Sequence, residues 1–310
     1  MHGGFCMKKK QLALLLALTL CVSLTPVFAA SGNDSTGAPE CDHFELKTYR
    51  ETSLGGQLTA TDPEGEPVTF RLTTEPMKGS VTVEPGGAFV YTPDEGKKGK
   101  DYFGYKATDA SGNESDEATV IISIEKQKRA PSYADMRGRA EGYAAAKLAE
   151  LGVFTGASVA GTALFEPDAA MTRGSFLAMC LSASGESVLR GVRTTGFSDD
   201  SAIPAWSKAY VSTGVMNGSV QGYSNGSAMV FDSERAITRA EAAVMLDRIL
   251  SPAGEVEVSA MTLSDSVPAW AAQSVARLTQ ASVYPAGADP EAPLTRAEAA
   301  QMIVNAIDAA

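Results

Sequence analysis

Thr238-Arg239-Ala240-Glu241 and, further on, Thr295-Arg296-Ala297-Glu298 decide how this chain is read. In each, a threonine stands where a helix is to begin and a glutamate follows three residues later. The threonine side chain then caps the first turn, and the glutamate reaches back to the N–H of the cap. A degraded copy, Thr172-Arg173-Gly174-Ser175, keeps the threonine and arginine and loses the glutamate. Counted from the threonine, positions +4, +7 and +8 are Phe176, Met179 and Cys180, then Ala242, Met245 and Leu246, then Ala299, Met302 and Ile303. That spacing is one buried helical stripe used three times. Cys180 therefore takes a core position, which argues against a bridge to Cys41.

Upstream of each threonine the same order recurs. Tyr133-Ala-Asp135, Phe197-Ser-Asp199 and Leu263-Ser-Asp265 each pair an apolar or aromatic residue with an aspartate, and Tyr143, Trp206 and Trp270 follow as aromatics at a helix start. The aspartates lie 64 and 66 residues apart and the threonines 66 and 57, so the chain carries an internal repeat. Pro204 and Pro268 stand just before the tryptophans, where a first-turn proline is tolerated. Each repeat reads as helix, loop, helix. One such pair buries too little alone, so three are expected to share a core. The first repeat is expected over residues 132–182, the second over 197–251 and the third over 261–310.

Before the repeats the period changes from helical to two. Val68, Phe70 and Leu72 alternate with polar residues; Val81 and Val83, Phe89 and Tyr91, then Phe103, Tyr105 and Ala107 continue, and Val120, Ile122 and Ile124 close the series. Turn clusters such as Asp62-Pro63-Glu64-Gly65 and Glu84-Pro85-Gly86-Gly87 separate them. Short alternating strands with turns at this spacing predict an antiparallel sandwich over residues 41–125. Residues 126–131, Lys126 to Pro131, are a basic linker.

Leu58-Thr-Ala-Thr-Asp-Pro-Glu-Gly65, Phe89-Val-Tyr-Thr-Pro93, Gly99-Lys-Asp-Tyr-Phe-Gly-Tyr105 and Thr108-Asp-Ala-Ser-Gly112 together resemble a bacterial Ig-like, cadherin-related module. The repeated part resembles the S-layer homology (SLH) domain, a module usually present in three copies. The expected fold class is therefore multidomain β + α: an Ig-like sandwich followed by an all-α, pseudo-threefold bundle. The SLH resemblance implies non-covalent binding to secondary cell-wall polymers of Gram-positive-type envelopes, which carry acidic groups such as pyruvate ketals.

A carboxylate ligand calls for a guanidinium fork beside helix N-terminal amides. Arg173, Arg239 and Arg296 each follow a helix cap and are the leading polymer-binding candidates, on the ground that an exposed guanidinium there gains little stability. Trp206, Trp270 and, in the first repeat, Tyr143 offer flat faces on which a sugar stacks, although burial at a lobe interface is an equal reading for the tryptophans. Asp135, Asp199 and Asp265 join the candidate set, with capping of the first helix of each repeat as the competing role. The first repeat lacks the full capping box and the third is shorter, so the second is the most complete.

The N-terminus frames the location. Met7-Lys8-Lys9-Lys10, an apolar run over Leu12–Leu24 and small residues at Val27 and Ala29 predict an export signal over residues 1–29, cut after Ala29. The run is too short to cross a hydrocarbon core that needs about 20 residues. Leu20 before Cys21 does not fit lipid anchoring, and Met1–Cys6 precede a complete signal that starts at Met7. Residues 30–40 read as a flexible leader. The chain carries −11; losing three lysines with the signal leaves −14. That argues against nucleic acid and anionic lipid surfaces as partners, since both need a basic footprint. Cys41 and Cys180 alone remain after cleavage, which is no disulfide framework.

No cofactor is expected, with calcium at the turn acids Asp62, Asp101 and Asp109 as the weak exception, solvated turns being the better reading. His43 is the single histidine past the signal, and no nucleophile elbow or phosphate loop is present, so an enzyme is not expected. The alternatives to a wall anchor are an adhesin, whose Ig-like module binds host protein or glycan, and an accessory of a glycan-processing system. The expected partner is the wall polymer, with an extracellular partner of the Ig-like module possible in the adhesin reading.

Overall fold

The computed structural model describes residues 37–128, 131–251, 266–285 and 287–309. The export signal, most of the leader and Leu263-Ser-Asp265 lie outside the described residues.

Among the described residues nine strands come first: β1 (Glu40–Cys41), β2 (Phe44–Tyr49), β3 (Leu54–Gln57), β4 (Ala60–Thr61), β5 (Thr69–Thr74), β6 (Gly79–Val83), β7 (Ala88–Pro93), β8 (Gly99–Thr108) and β9 (Ala118–Glu125). A four-stranded sheet ordered β2-β9-β8-β5 faces a three-stranded sheet ordered β3-β7-β6. The two-residue period is what makes the sandwich. Phe103, Tyr105, Val120 and Ile122 point inward from β8 and β9 against Phe89 and Tyr91 from β7, all buried. Most pairs run antiparallel, but β2 lies parallel to β9, with Leu46 opposite Ile122.

The acids considered for calcium are engaged locally. Buried Asp101 accepts the Tyr91 hydroxyl at 2.7 Å and the backbone N–H groups of Met77 and Lys78 at 3.0 and 2.8 Å. Asp109 accepts from Asn113 N–H at 2.8 Å. Asp62 accepts from the N–H groups of Glu64 and Glu66 at 3.1 and 2.7 Å. Among the described residues no group of three acid, histidine or cysteine side chains is arranged to hold a metal ion.

Among the described residues six α-helices follow: α1 (Gly142–Glu150), α2 (Arg173–Ser184), α3 (Lys208–Met216), α4 (Arg239–Leu250), α5 (Ala272–Gln280) and α6 (Arg296–Ala309). The loops inside the first two repeats differ from a plain helix-loop-helix reading: they carry the short hairpins β10 (Ala157–Val159) with β11 (Thr162–Leu164), and β12 (Tyr223–Ser224) with β13 (Met229–Val230). The stripe positions Phe176, Met179, Cys180, Ala242, Met245, Leu246, Ala299, Met302 and Ile303 are all buried in one shared core. Cys41 and Cys180 are both free thiols.

The three second helices are tied by a closed ring of backbone hydrogen bonds. Met171 N–H donates to Leu294 C=O, Leu294 N–H to Ile237 C=O, and Ile237 N–H to Met171 C=O, each at 2.9 Å. The next turn repeats the cycle. Arg173 N–H donates to Arg235 C=O at 2.9 Å, Arg239 N–H to Ala292 C=O at 3.1 Å, and Arg296 N–H to Ala169 C=O at 2.9 Å. The first amides of a helix have no intrahelical partner. Here each repeat supplies one for its neighbour, while the threonine cap serves the third amide of the helix, as at Thr238, where the full capping box forms. In the first repeat Thr172 likewise serves the third amide, that of Ser175, and the second half of the box is missing because no glutamate stands there. Gly174 is needed there, because a Cβ at that position would stand 2.1 Å from Ser233 Oγ.

The sandwich and the helices belong to one compact unit. Gly55 N–H in β3 donates to Ala140 C=O at 2.8 Å, and Gly138 N–H donates to Ser53 Oγ at 2.7 Å. Tyr49 stacks on Tyr143 with ring centroids 5.3 Å apart, and its hydroxyl donates to Glu150.

Candidate functional site

A groove of about 500 Å³ opens on the second repeat. It draws on all three: Arg173 from the start of α2, Tyr223, Arg235, Glu241 and Arg248 from the second repeat, and Trp270 from just before α5. Three guanidinium groups and one carboxylate line it, in a chain whose overall charge is −11.

Glu241 organises the inner wall. It completes the capping box through Thr238 N–H at 3.2 Å. It takes a fork from Arg235, with Nη2 at 2.6 Å and Nη1 at 3.1 Å, a bidentate geometry. Arg173 Nη1 lies 3.7 Å from the same carboxylate. The Arg173 guanidinium sits 5.0 Å over the Phe231 ring and donates to Gln221 C=O at 2.9 Å. Burial pushes its pKa below the usual arginine value, with Glu241 opposing. Arg235 lies 5.6 Å over the Tyr223 ring. Arg248, nine residues past Arg239 on α4, is exposed and has no carboxylate partner among the described residues. Trp270 is 59% exposed beside it.

The other two arginines are engaged in the same way across repeat boundaries. Arg239 donates to Glu298 at 2.5 Å and to Asp289 C=O at 3.3 Å. Arg296 donates to Glu166 at 2.7 Å and to Phe165 C=O at 2.8 Å, with its guanidinium 5.3 Å over Phe154. The expectation that these arginines are exposed groups contributing little to the fold is therefore corrected. A helix-start arginine meets the next repeat's loop carbonyls and acid, so Arg173, Arg239 and Arg296 clasp the repeats together.

Two further expectations change. Asp135 accepts the N–H groups of Phe165 and Glu166 at 2.9 and 2.7 Å, and Asp199 those of Phe231 and Asp232 at 3.0 and 2.8 Å. They pin the turn that feeds the second helix rather than capping the first. Glu166 and Asp232 sit there with φ of 55° and 58°, in the left-handed region, where the paired N–H bonds to the aspartate carboxylates offset the strain. Asp265 lies outside the described residues. Tyr143 is not the counterpart of the tryptophans. Trp206 and Trp270 stand two residues before α3 and α5, and the residue two before α1 is Ala140. Tyr143 lies inside α1 against Tyr49, where burial pushes its hydroxyl up to about 12. Trp206, at 52% exposure, shares the open setting of Trp270.

Sequence reasoning passed over Arg235, Arg248 and Tyr223. For Arg248 a signal was present: it is an exposed basic residue in the last turn of α4, and neither the first nor the third repeat has a basic residue there, having Ser182 and Asn305.

The clasps carry a pH dependence. Burial raises the Glu241 carboxyl, but the Arg235 fork, Thr238 N–H and the Arg173 charge outweigh it and hold the group below 4.5. Glu298 is likewise lowered, by Thr295 N–H and Arg239 against burial. A carboxyl depressed in the folded state contributes stability that is present above its unfolded value and lost as pH falls through its folded one. Thermal scans from neutral pH down to about pH 3 are expected to show the helical transition falling below about pH 4.5. Glu241→Gln is expected to start lower and to fall less steeply; an unchanged slope would remove Glu241 from the acid response.

A bacterial cadherin-like domain is matched over residues 27–126, and an S-layer homology domain over residues 196–243. The chain thus joins a cadherin-like module to an SLH module, both non-catalytic, and is of a cell-surface or cell-wall-associated kind. No helix among the described residues is long and apolar enough to cross a membrane. No curated protein matches the chain. Among solved structures, an endo-fucoidan hydrolase of glycoside hydrolase family 107 is similar at 17% identity, TM-score 0.26, over 32% of this chain and 15% of its own. Human protocadherin-24 EC1-2 is similar at 16% identity, TM-score 0.25, over 30% of this chain and 54% of its own. The SrpA adhesin from Streptococcus sanguinis is similar at 18% identity, TM-score 0.24, over 32% and 66%. The chain therefore spans about 15% of the hydrolase's length.

Proposed function

We propose that this chain is exported and anchors its cadherin-like module to a bacterial wall of the Gram-positive type, through SLH repeats at 132–182, 197–251 and 261–310 that bind an acidic secondary cell-wall polymer. The protein is not an enzyme in this reading; the wall polymer is its partner. The observation that carries it is the second-repeat groove, where Arg173, Arg235 and Arg248 converge with exposed Trp270. Arg248 is free to pair with a carboxylate on the polymer, and the indole face is free to take a sugar ring. Arg173 and Arg235, already held by Glu241, act mainly by keeping the groove positive and shaped. Trp206 and Arg296 form the weaker first-repeat site, with Ser182 and Ala169 where the second repeat has arginines. Asp135 and Asp199 act by shaping loops rather than by touching the polymer.

The test is co-sedimentation of the chain from residue 30 onward with purified sacculi, before and after chemical stripping of secondary polymers. Pelleting with intact sacculi and release to the supernatant after stripping are expected. Pelleting that survives stripping would move recognition to peptidoglycan itself and end this reading.

A further inference from the structure

The third-repeat groove keeps an arginine, Arg239, in the place of Arg173 but differs from the second-repeat groove at three other positions that make the latter basic and aromatic. Two residues before the first helix, Trp270 is replaced by Ala140; nine residues into the second helix, Arg248 is replaced by Asn305; four residues before that helix, Arg235 is replaced by Ala292. Over this groove lies the sandwich. Gly55 and Gly56 of β3, with Phe89 of β7, form one wall of a cavity of about 730 Å³ whose other wall includes Ala140, Met302 and Asn305.

The fit is built on both sides. A Cβ at Gly55 would stand 2.5 Å from the Ala140 Cβ and 2.9 Å from its Cα, and a Cβ at Gly142 would stand 2.7 Å from Ser53 C=O. Backbone approaches this close require glycine, and an indole at position 140 has no room. Gly55 N–H and Ser53 Oγ close the contact with their hydrogen bonds to Ala140 and Gly138. The rim adds Glu84 and Glu141, which disfavour an acidic chain.

Resting on the anchor reading above, we infer that the third groove is the seat of the chain's own cadherin-like module and not a polymer site. The anchor then works through the second groove, supported by the first, and the displayed module is held rigidly on the wall-binding unit instead of swinging on the linker. An apolar and amide-lined groove with its tryptophan trimmed to alanine is what a β-strand backbone needs to dock.

Two comparisons on the chain from residue 30 onward test this. Asn305→Glu and Arg248→Glu place the same charge at equivalent positions of the third and second grooves. Sacculus binding within about two-fold of wild type for Asn305→Glu, against a loss of at least about ten-fold for Arg248→Glu, is expected; equal losses would overturn the inference. Independently of any polymer, Gly55→Trp and Ala140→Trp intrude on the seat from opposite sides. Each is expected to raise the radius of gyration in small-angle scattering while both modules stay folded by calorimetry. Two folded variants that remain as compact as wild type would overturn it. Should wild type fail to sediment at all, the anchor reading falls and the scattering comparison still decides the seat.

Discussion

Truncating Phe231 to alanine is expected to destabilise the helical region by about 3–5 kcal/mol. The ring is fully buried in the shared core, 5.7 Å from that of Phe197, and its other face carries the Arg173 guanidinium. Its own N–H is one of the two that Asp199 pins. The truncation therefore opens a cavity where the turn, the core and the groove meet, and nothing rigidly anchored nearby can collapse into it. Denaturant titration followed by circular dichroism checks the loss; a change under about 1 kcal/mol would mean the site relaxes freely. At temperatures where the variant is still folded, binding is expected to fall as well, because Arg173 loses the surface that holds it. Stability and binding should then move together, unlike in the next case.

The double replacement Arg248→Ala, Trp270→Ala is expected to leave stability within about 0.5 kcal/mol, since both side chains are largely exposed. Binding to intact sacculi should nevertheless drop on the order of 100-fold. A charge-assisted hydrogen bond contributes about 1.5–3 kcal/mol and an aromatic face about 0.5–1.5 kcal/mol beyond area burial, which together span that factor. Saturation binding to sacculi, with the thermal transition measured alongside, separates the two effects. Undiminished binding would take recognition out of this groove. Salt is expected to weaken the wild type more than the double variant, because one of the groove's cations is gone.

Much of the architecture is legible in the chain because it rests on local rules. The capping boxes at Thr238 and Thr295 and the +4, +7, +8 stripe follow from helical geometry alone, and every stripe residue is buried. The alternation through Val120, Ile122 and Ile124 likewise follows from the pleat. Even the defective box at Thr172 is intelligible locally, as a missing glutamate. Less legible are residues whose role depends on a neighbour far along the chain. Arg173 looks like a free cation until the second repeat's Gln221, Phe231 and Glu241 are set around it. Asp199 looks like a helix cap until the return of the hairpin brings Phe231 and Asp232 N–H to it.

The sequence by itself determined that there are two modules of opposite period, that the second is threefold in its motifs, and which helical faces are buried. Those properties arise from hydrogen-bond satisfaction and side-chain spacing within a turn or a strand. Only the tertiary structure decided that the arginines clasp repeats, that Arg235 and Arg248 share a groove with Trp270, and that the counterpart of the tryptophans is Ala140 under Gly55. A groove between repeats is a relation among backbones brought together by ring closure, and no local periodicity encodes which three side chains will face one another across it.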